Sequence, residues 1–139
     1  MNTSTIQKKI IQLAINKRHY LVTKNFYFFK DWECDVLSVS YNDMVTEYEI
    51  KKSRNDFKAD FNKKDKHFST SNGYGANYFY YACPVNLISV DEIPEYSGLI
   101  YCTPRGGYIM KQAPILHQET LTFKQLKKIA NKIMSSKYV

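Results

Sequence analysis

The sequence predicts a mixed α/β fold in one domain spanning residues 1–139, and three observations carry that prediction. Apolar residues recur at helical spacing near both ends, while β-branched and aromatic runs alternate with polar residues between them. The continuous aromatic run YFYYAC, residues 78–83, has the composition of a strand covered on both faces, as expected of a central sheet flanked by helices. No linker or internal repeat divides the chain, and 139 residues suffice for one core.

The elements follow in order. Ser4 and Gln7 form an S-x-x-Q capping box, and Ile6, Ile10, Leu13 and Ala14 then share one face, so residues 4–17 read as an amphipathic helix. YLVTKNFYFF (20–29), CDVLSVS (34–40) and VTEYEIK (45–51) read as three strands, broken by Asp31-Trp32 and by the turn YND. Their short connections predict an antiparallel meander. Ser53 and Asp56 cap a helix from about 53 to 67, carrying Phe57 and Phe61 among lysines. TSNGYGAN (70–77) is a loop, followed by the aromatic strand. GLIYC and GYIM flank TPRGG as a hairpin. Thr122 and Gln125 open a last helix, with Phe123, Leu126, Ile129 and Ile133 as its apolar stripe.

Composition bounds the function. The chain is 44% hydrophobic and carries a net charge of +7, which favours a polyanionic partner, nucleic acid first and an anionic membrane surface second. No apolar run approaches the ~20 residues that span a bilayer. Lysines interrupt the apolar N-terminal stretch, which does not read as a secretion signal. Cys34, Cys83 and Cys102 are odd in number, widely spaced and set in apolar surroundings. That pattern predicts reduced, buried thiols and a cytoplasmic protein, and it lacks the CxxC pairs of a zinc site.

One constellation carries chemistry. Asp35 opens the second predicted strand, and Glu49 and Lys51 lie on the third. A hairpin that brings the two carboxylates within ~4–6 Å raises one pKa unless a cation intervenes. A hard ion such as magnesium resolves that conflict, activates water and stabilises phosphoryl charge. Lys51, on the strand face of Glu49, is placed to orient the water or neutralise developing negative charge. The plain alternative is a solvated strand face, on which cross-strand pairs contribute ~0.2–1 kcal/mol each.

CDVL, YEIKKSRNDFKAD, NYFYYACP and IPEYSGLIY stand in an order that resembles the PD-(D/E)xK nuclease superfamily, and in particular its MmcB-type DNA-repair branch. The resemblance covers roughly residues 33–110. It implies a restriction-endonuclease-like domain with a mixed central sheet flanked by helices. It also implies a nuclease that hydrolyses nucleic-acid phosphodiesters, DNA foremost, with Mg2+ or Mn2+ in repair, replication or recombination. Asp35 and Glu49 would then be metal ligands, the Ile50 carbonyl a third, and Lys51 the catalytic lysine. Cutting both strands would favour a homodimer. Two departures stand out: Cys34, not proline, precedes Asp35, and the first helix carries Gln7 and Gln12 where many members have a glutamate. Glu47 and Glu33, each two residues from a ligand position, are the acids placed to substitute.

Around this site Lys52, Arg54, Lys58, Lys63, Lys64 and Lys66 form either a solvated face or a phosphate-tracking strip, with Lys58 nearest the site. Asp60 reads as a helix-surface ion pair, His67 as a helix C-terminal dipole partner, and Trp32 as core or rim packing. SNGYGANY (71–78) is a plain loop or an aromatic wedge against a nucleic-acid strand. The rival functions are a non-catalytic nucleic-acid binder of the same fold, and an interaction subunit that docks its lysine-rich last helix on an acidic protein.

Overall fold

The computed structural model describes residues 1–138, with side chains described through Ser136. The chain runs α1 (Thr3–Asn16), β1 (Leu21–Phe29), β2 (Trp32–Val39), β3 (Val45–Ile50), α2 (Arg54–Asp60), α3 (Lys64–Ser71), β4 (Tyr78–Pro84), a 3-10 turn (Val90–Glu92), β5 (Gly98–Thr103), β6 (Gly106–Lys111) and α4 (Phe123–Tyr138). All six strands form one sheet in sequence order. The first three are antiparallel, β3, β4 and β5 are parallel, and β6 returns antiparallel to β5. The predicted α/β class with a mixed, helix-flanked sheet is therefore the one observed.

The parallel centre requires two crossovers. The first is α2 with α3, and the second is the segment holding the 3-10 turn. YFYYAC becomes the central β4, with Phe79 to Cys83 all buried, because helices or loops cover both its faces. On one face Ile6 and Ile10 of α1 pack on Val36, Tyr48, Ile50, Tyr80, Ala82 and Ile100. On the other, Phe57 of α2 packs with Phe79, Tyr81 and Leu99, while Ile129 of α4 packs with Phe26, Leu37 and Val45. Gly98 opens β5 where a Cβ would stand 2.4 Å from the Tyr80 ring, so only glycine fits beneath that ring. The three cysteines are free and buried, and burial pushes the Cys83 and Cys102 thiols up to about 11 and about 12. Among the described residues no helix is long and apolar enough to cross a membrane.

Several boundaries differ from the sequence reading. Asn2, not Ser4, caps α1: its side-chain oxygen accepts from the Thr5 amide at 2.8 Å, satisfying an otherwise orphan donor. β2 begins at Trp32, since a tight turn at Lys30-Asp31 already reverses the chain. The predicted helix 53–67 is two helices, broken at 61–63, and α3 runs on into the expected loop. Ser53 does cap α2, accepting from the Asp56 amide at 3.1 Å, and Thr122 and Gln125 form the reciprocal box that opens α4.

Candidate functional site

Strand alternation builds the site. Tyr48 and Ile50 of β3 turn into the α1 core, which directs Glu47, Glu49 and Lys51 to the opposite face, beneath α2 and α3. All three charged residues are buried, and Glu47 is fully so. The β2–β3 pairing ends at Val36–Tyr48. Just beyond it the Asp35 side chain replaces a backbone acceptor, its Oδ2 taking the Ile50 amide at 2.8 Å. Asp35 is thus held beside Glu49, whose charge acts on it.

The helices supply the remaining charges. Lys51 Nζ lies 3.2 Å from Glu49 Oε1 and 3.0 Å from Asp60 Oδ1. Lys66 Nζ lies 3.1 Å from Glu49 Oε2 and 3.9 Å from Glu47 Oε2. Lys63, on the rim, reaches Asp60 at 3.5 Å and Glu49 at 3.8 Å. Tyr81 donates to Asp60 Oδ2 at 2.7 Å, and His67 Nε2 stands 3.0 Å from the same oxygen. The Trp32 indole N–H donates to Glu47, 3.1 and 3.2 Å from its two oxygens. Charges this deep persist only when paired, and the network supplies the pairing.

The electrostatics divide the acids. Burial, then the neighbouring Glu49 charge, pushes Asp35 up to about 6 against the opposing Ile50 amide and the two lysines. Burial pushes Glu47 up to about 7, offset in part by Lys66. Burial would raise Asp60 too, but the His67 and Tyr81 hydrogen bonds with Lys66 and Lys51 outweigh it and hold its carboxyl well below the usual range. Burial would lower Lys51 and Lys66, yet the surrounding carboxylates keep both raised.

Two oxygens bear on ligand binding. Glu49 Oε2 is buried, and the Lys66 ammonium faces it at 3.1 Å. From α1, the buried Gln7 donates to the Asp35 carbonyl at 3.1 Å and to Asn25 at 2.8 Å. Of the two helix glutamines, Gln7 reaches the site and Gln12 bonds Asn16 on the exposed side. Among the described residues no group of three or more His, Cys, Asp or Glu side chains is disposed to hold a metal ion.

The structure brings Asp35, Glu49, Ile50 and Lys51 together, and it adds residues that the sequence reading placed elsewhere. Asp60 is an interior ion-pair partner, not a surface one, because it follows Phe57 by three residues on the buried face of α2. Lys66 is buried beneath α3 and is no part of an exposed strip. His67 sits within α3 and serves Asp60 rather than a helix end. Lys63, not Lys58, is the rim lysine that reaches the carboxylates. Lys52, Lys58 and Lys64 are exposed, while Arg54 spends its guanidinium on Glu92 and the Leu87 carbonyl. Glu47 belongs to the network and Glu33 is exposed away from it. The Trp32–Glu47 bond and the Lys66 pairing had no sequence signal beyond the alternation of β3.

Fold and site together define a single α/β domain whose six-stranded mixed sheet buries an ionic cluster at its parallel centre. No protein-family model matches the chain, and no curated protein matches it in sequence. In fold it is similar to the SPO1766 protein of unknown function from Silicibacter pomeroyi. That likeness has a TM-score of 0.74 at 16% identity and covers 98% of this chain and 89% of that one. At such identity the likeness speaks for the fold alone.

Proposed function

We propose that the protein is a metal-dependent nuclease of the PD-(D/E)xK kind, acting on DNA, with Asp35, Glu49, the Ile50 carbonyl and Lys51 as its working groups. The observation that carries the reading is Asp35 docked on the Ile50 amide at 2.8 Å, which sets its carboxylate against the Glu49 charge at one end of the strand pair. An all-oxygen donor set of this kind, two carboxylates and a backbone carbonyl, fits a hard divalent ion that retains several waters. Magnesium or manganese bound there would supply an activated water and charge stabilisation at the phosphoryl group. Lys51, fixed by Glu49 and Asp60, holds its ammonium at the site as a counter-charge for a phosphate. The exposed Lys52, Lys58 and Lys64, with Lys63, provide phosphate contacts.

The test is cleavage of single-stranded, duplex and branched DNA with magnesium or manganese. Glu49→Gln and Lys51→Ala are expected to lose at least ~100-fold in rate, the scale for removing one electrostatic stabiliser, with folding checked by thermal unfolding. Cleavage unchanged in both variants sinks the assignment. A second reading, a non-catalytic nucleic-acid binder, is favoured by the three ammonium groups already gathered within 3.8 Å of Glu49. Calorimetric titration separates the two, since the binder takes up neither metal at millimolar concentration.

A further inference from the structure

A cleft of about 310 Å³ opens between the start of β2 and α3, with Asp31 and Asp65 among its lining residues. Its walls are chemically unlike. Trp32 is half-buried, stacked on Phe29 at 4.8 Å and pinned through its N–H to Glu47, so its ring is a fixed aromatic wall. Lys63 and Lys64 stand exposed at the rim. Lys66 forms a buried floor joined directly to Glu49. Asn62, Ser69 and the two aspartates add hydrogen-bonding groups.

We propose that this cleft binds one unpaired nucleotide of single-stranded DNA, its base against Trp32 and its flanking phosphates on Lys63 and Lys64. The inference rests on the nucleic-acid part of the function proposed above and adds the substrate's form. An aromatic wall, lysine ammonium groups and edge acceptors within one small cleft match the base, the phosphates and the base-edge N–H groups of a nucleotide, the ring N–H of thymine included. The volume lies at the small end of ligand pockets, about 300 Å³. A base inside a duplex is stacked on both faces and cannot enter without leaving the stack. The aspartates oppose a bare anion such as inorganic phosphate, which brings no base-edge N–H to offset the repulsion.

Trp32 is the single tryptophan of the chain, so its emission reports on this wall directly. Full-length protein in chelator, without divalent metal, is titrated with oligothymidylate, with an abasic deoxyribose-phosphate chain of equal length, and with duplex. Saturable quenching by oligothymidylate, absent with the abasic chain and the duplex, is the expected result. Lys64→Glu, which retains the tryptophan, should weaken binding and flatten the log–log salt dependence by about one. By anisotropy of a labelled oligothymidylate, Trp32→Ala should weaken binding roughly 5- to 150-fold, the loss of one base–aromatic stack, and Trp32→Phe less. No quenching, or an equal response to the abasic chain or duplex, overturns the proposal. Cleavage without quenching would leave the nuclease reading intact and remove this one; quenching without cleavage does the reverse.

Discussion

The two faces of β3 solve opposite problems with adjacent residues. Tyr48 and Ile50 enter an apolar core closed by Ile6 and Ile10 of α1. Glu47 and Glu49, one peptide away, enter an interior closed by Lys51, Lys66, Asp60 and Trp32. The apolar face is held by area removed from water and by close packing. The ionic face gains little from its Coulomb contacts, because desolvating each charge costs about as much as pairing returns. A fold in need of stability alone would carry leucines there. Apolar burial therefore does not account for the charges on this face.

The comparison breaks most visibly at Lys66. Lys66→Ala leaves Glu47 buried without its lysine and removes one of the three ammonium groups around Glu49, and should cost about 3–5 kcal/mol in urea denaturation. A loss below ~1 kcal/mol would mean that water enters the cluster and that the two faces are alike, surface pairs being worth no more than that. On the apolar side Ile10→Ala should cost about 2–5 kcal/mol by the same measurement, set by the cavity it leaves.

The last effect is one of pH; the ionic face supplies most of it, and His19, lowered by burial, opposes it from the other side of the sheet. Folding raises Asp35 to about 6 and Glu47 to about 7, above their unfolded values near ~4. A carboxyl raised by folding contributes stability that is complete below its unfolded pKa and is lost as pH rises through the folded one. Asp60, held low, has the opposite sign: its contribution is complete above the carboxylate range and is lost as the solution is acidified through and below it. The urea midpoint should therefore fall between about pH 5 and pH 8, and Glu47→Gln should flatten that limb. A midpoint that climbs over the same interval contradicts the assignment of raised acids to this face.

Alternation made β3 readable. The sequence EYEIK separates charged from apolar positions at period two, so both faces, and the nearness of Asp35, followed from a hairpin. The aromatic β4 and the hairpin around Pro104-Arg105 were equally plain, because composition and turn chemistry agree there. The second half of the ionic cluster was not readable. In one continuous helix, Asp60, Lys63 and His67 fall on a single face at three- and four-residue spacing, and a charged stripe of that kind looks solvated. The chain instead breaks at Phe61-Asn62-Lys63, where neither glycine nor proline gives warning. That break redirects α3 and carries Lys66 under the helix to Glu49, while Asp60 reaches Lys51 from the Phe57 face of α2. Trp32 was misplaced for a related reason: the turn ended two residues earlier than its polar residues suggested, which left the indole in β2 facing Glu47.

The three thiols also have a practical consequence. Cys34, Cys83 and Cys102 are buried, and burial holds each above the range in which a thiolate forms at neutral pH. Maleimide and other alkylating dyes react with thiolate, so the folded chain is expected to label far more slowly than the urea-unfolded one. A lone cysteine introduced on the exposed surface can then carry a spectroscopic label with all three natural cysteines left in place.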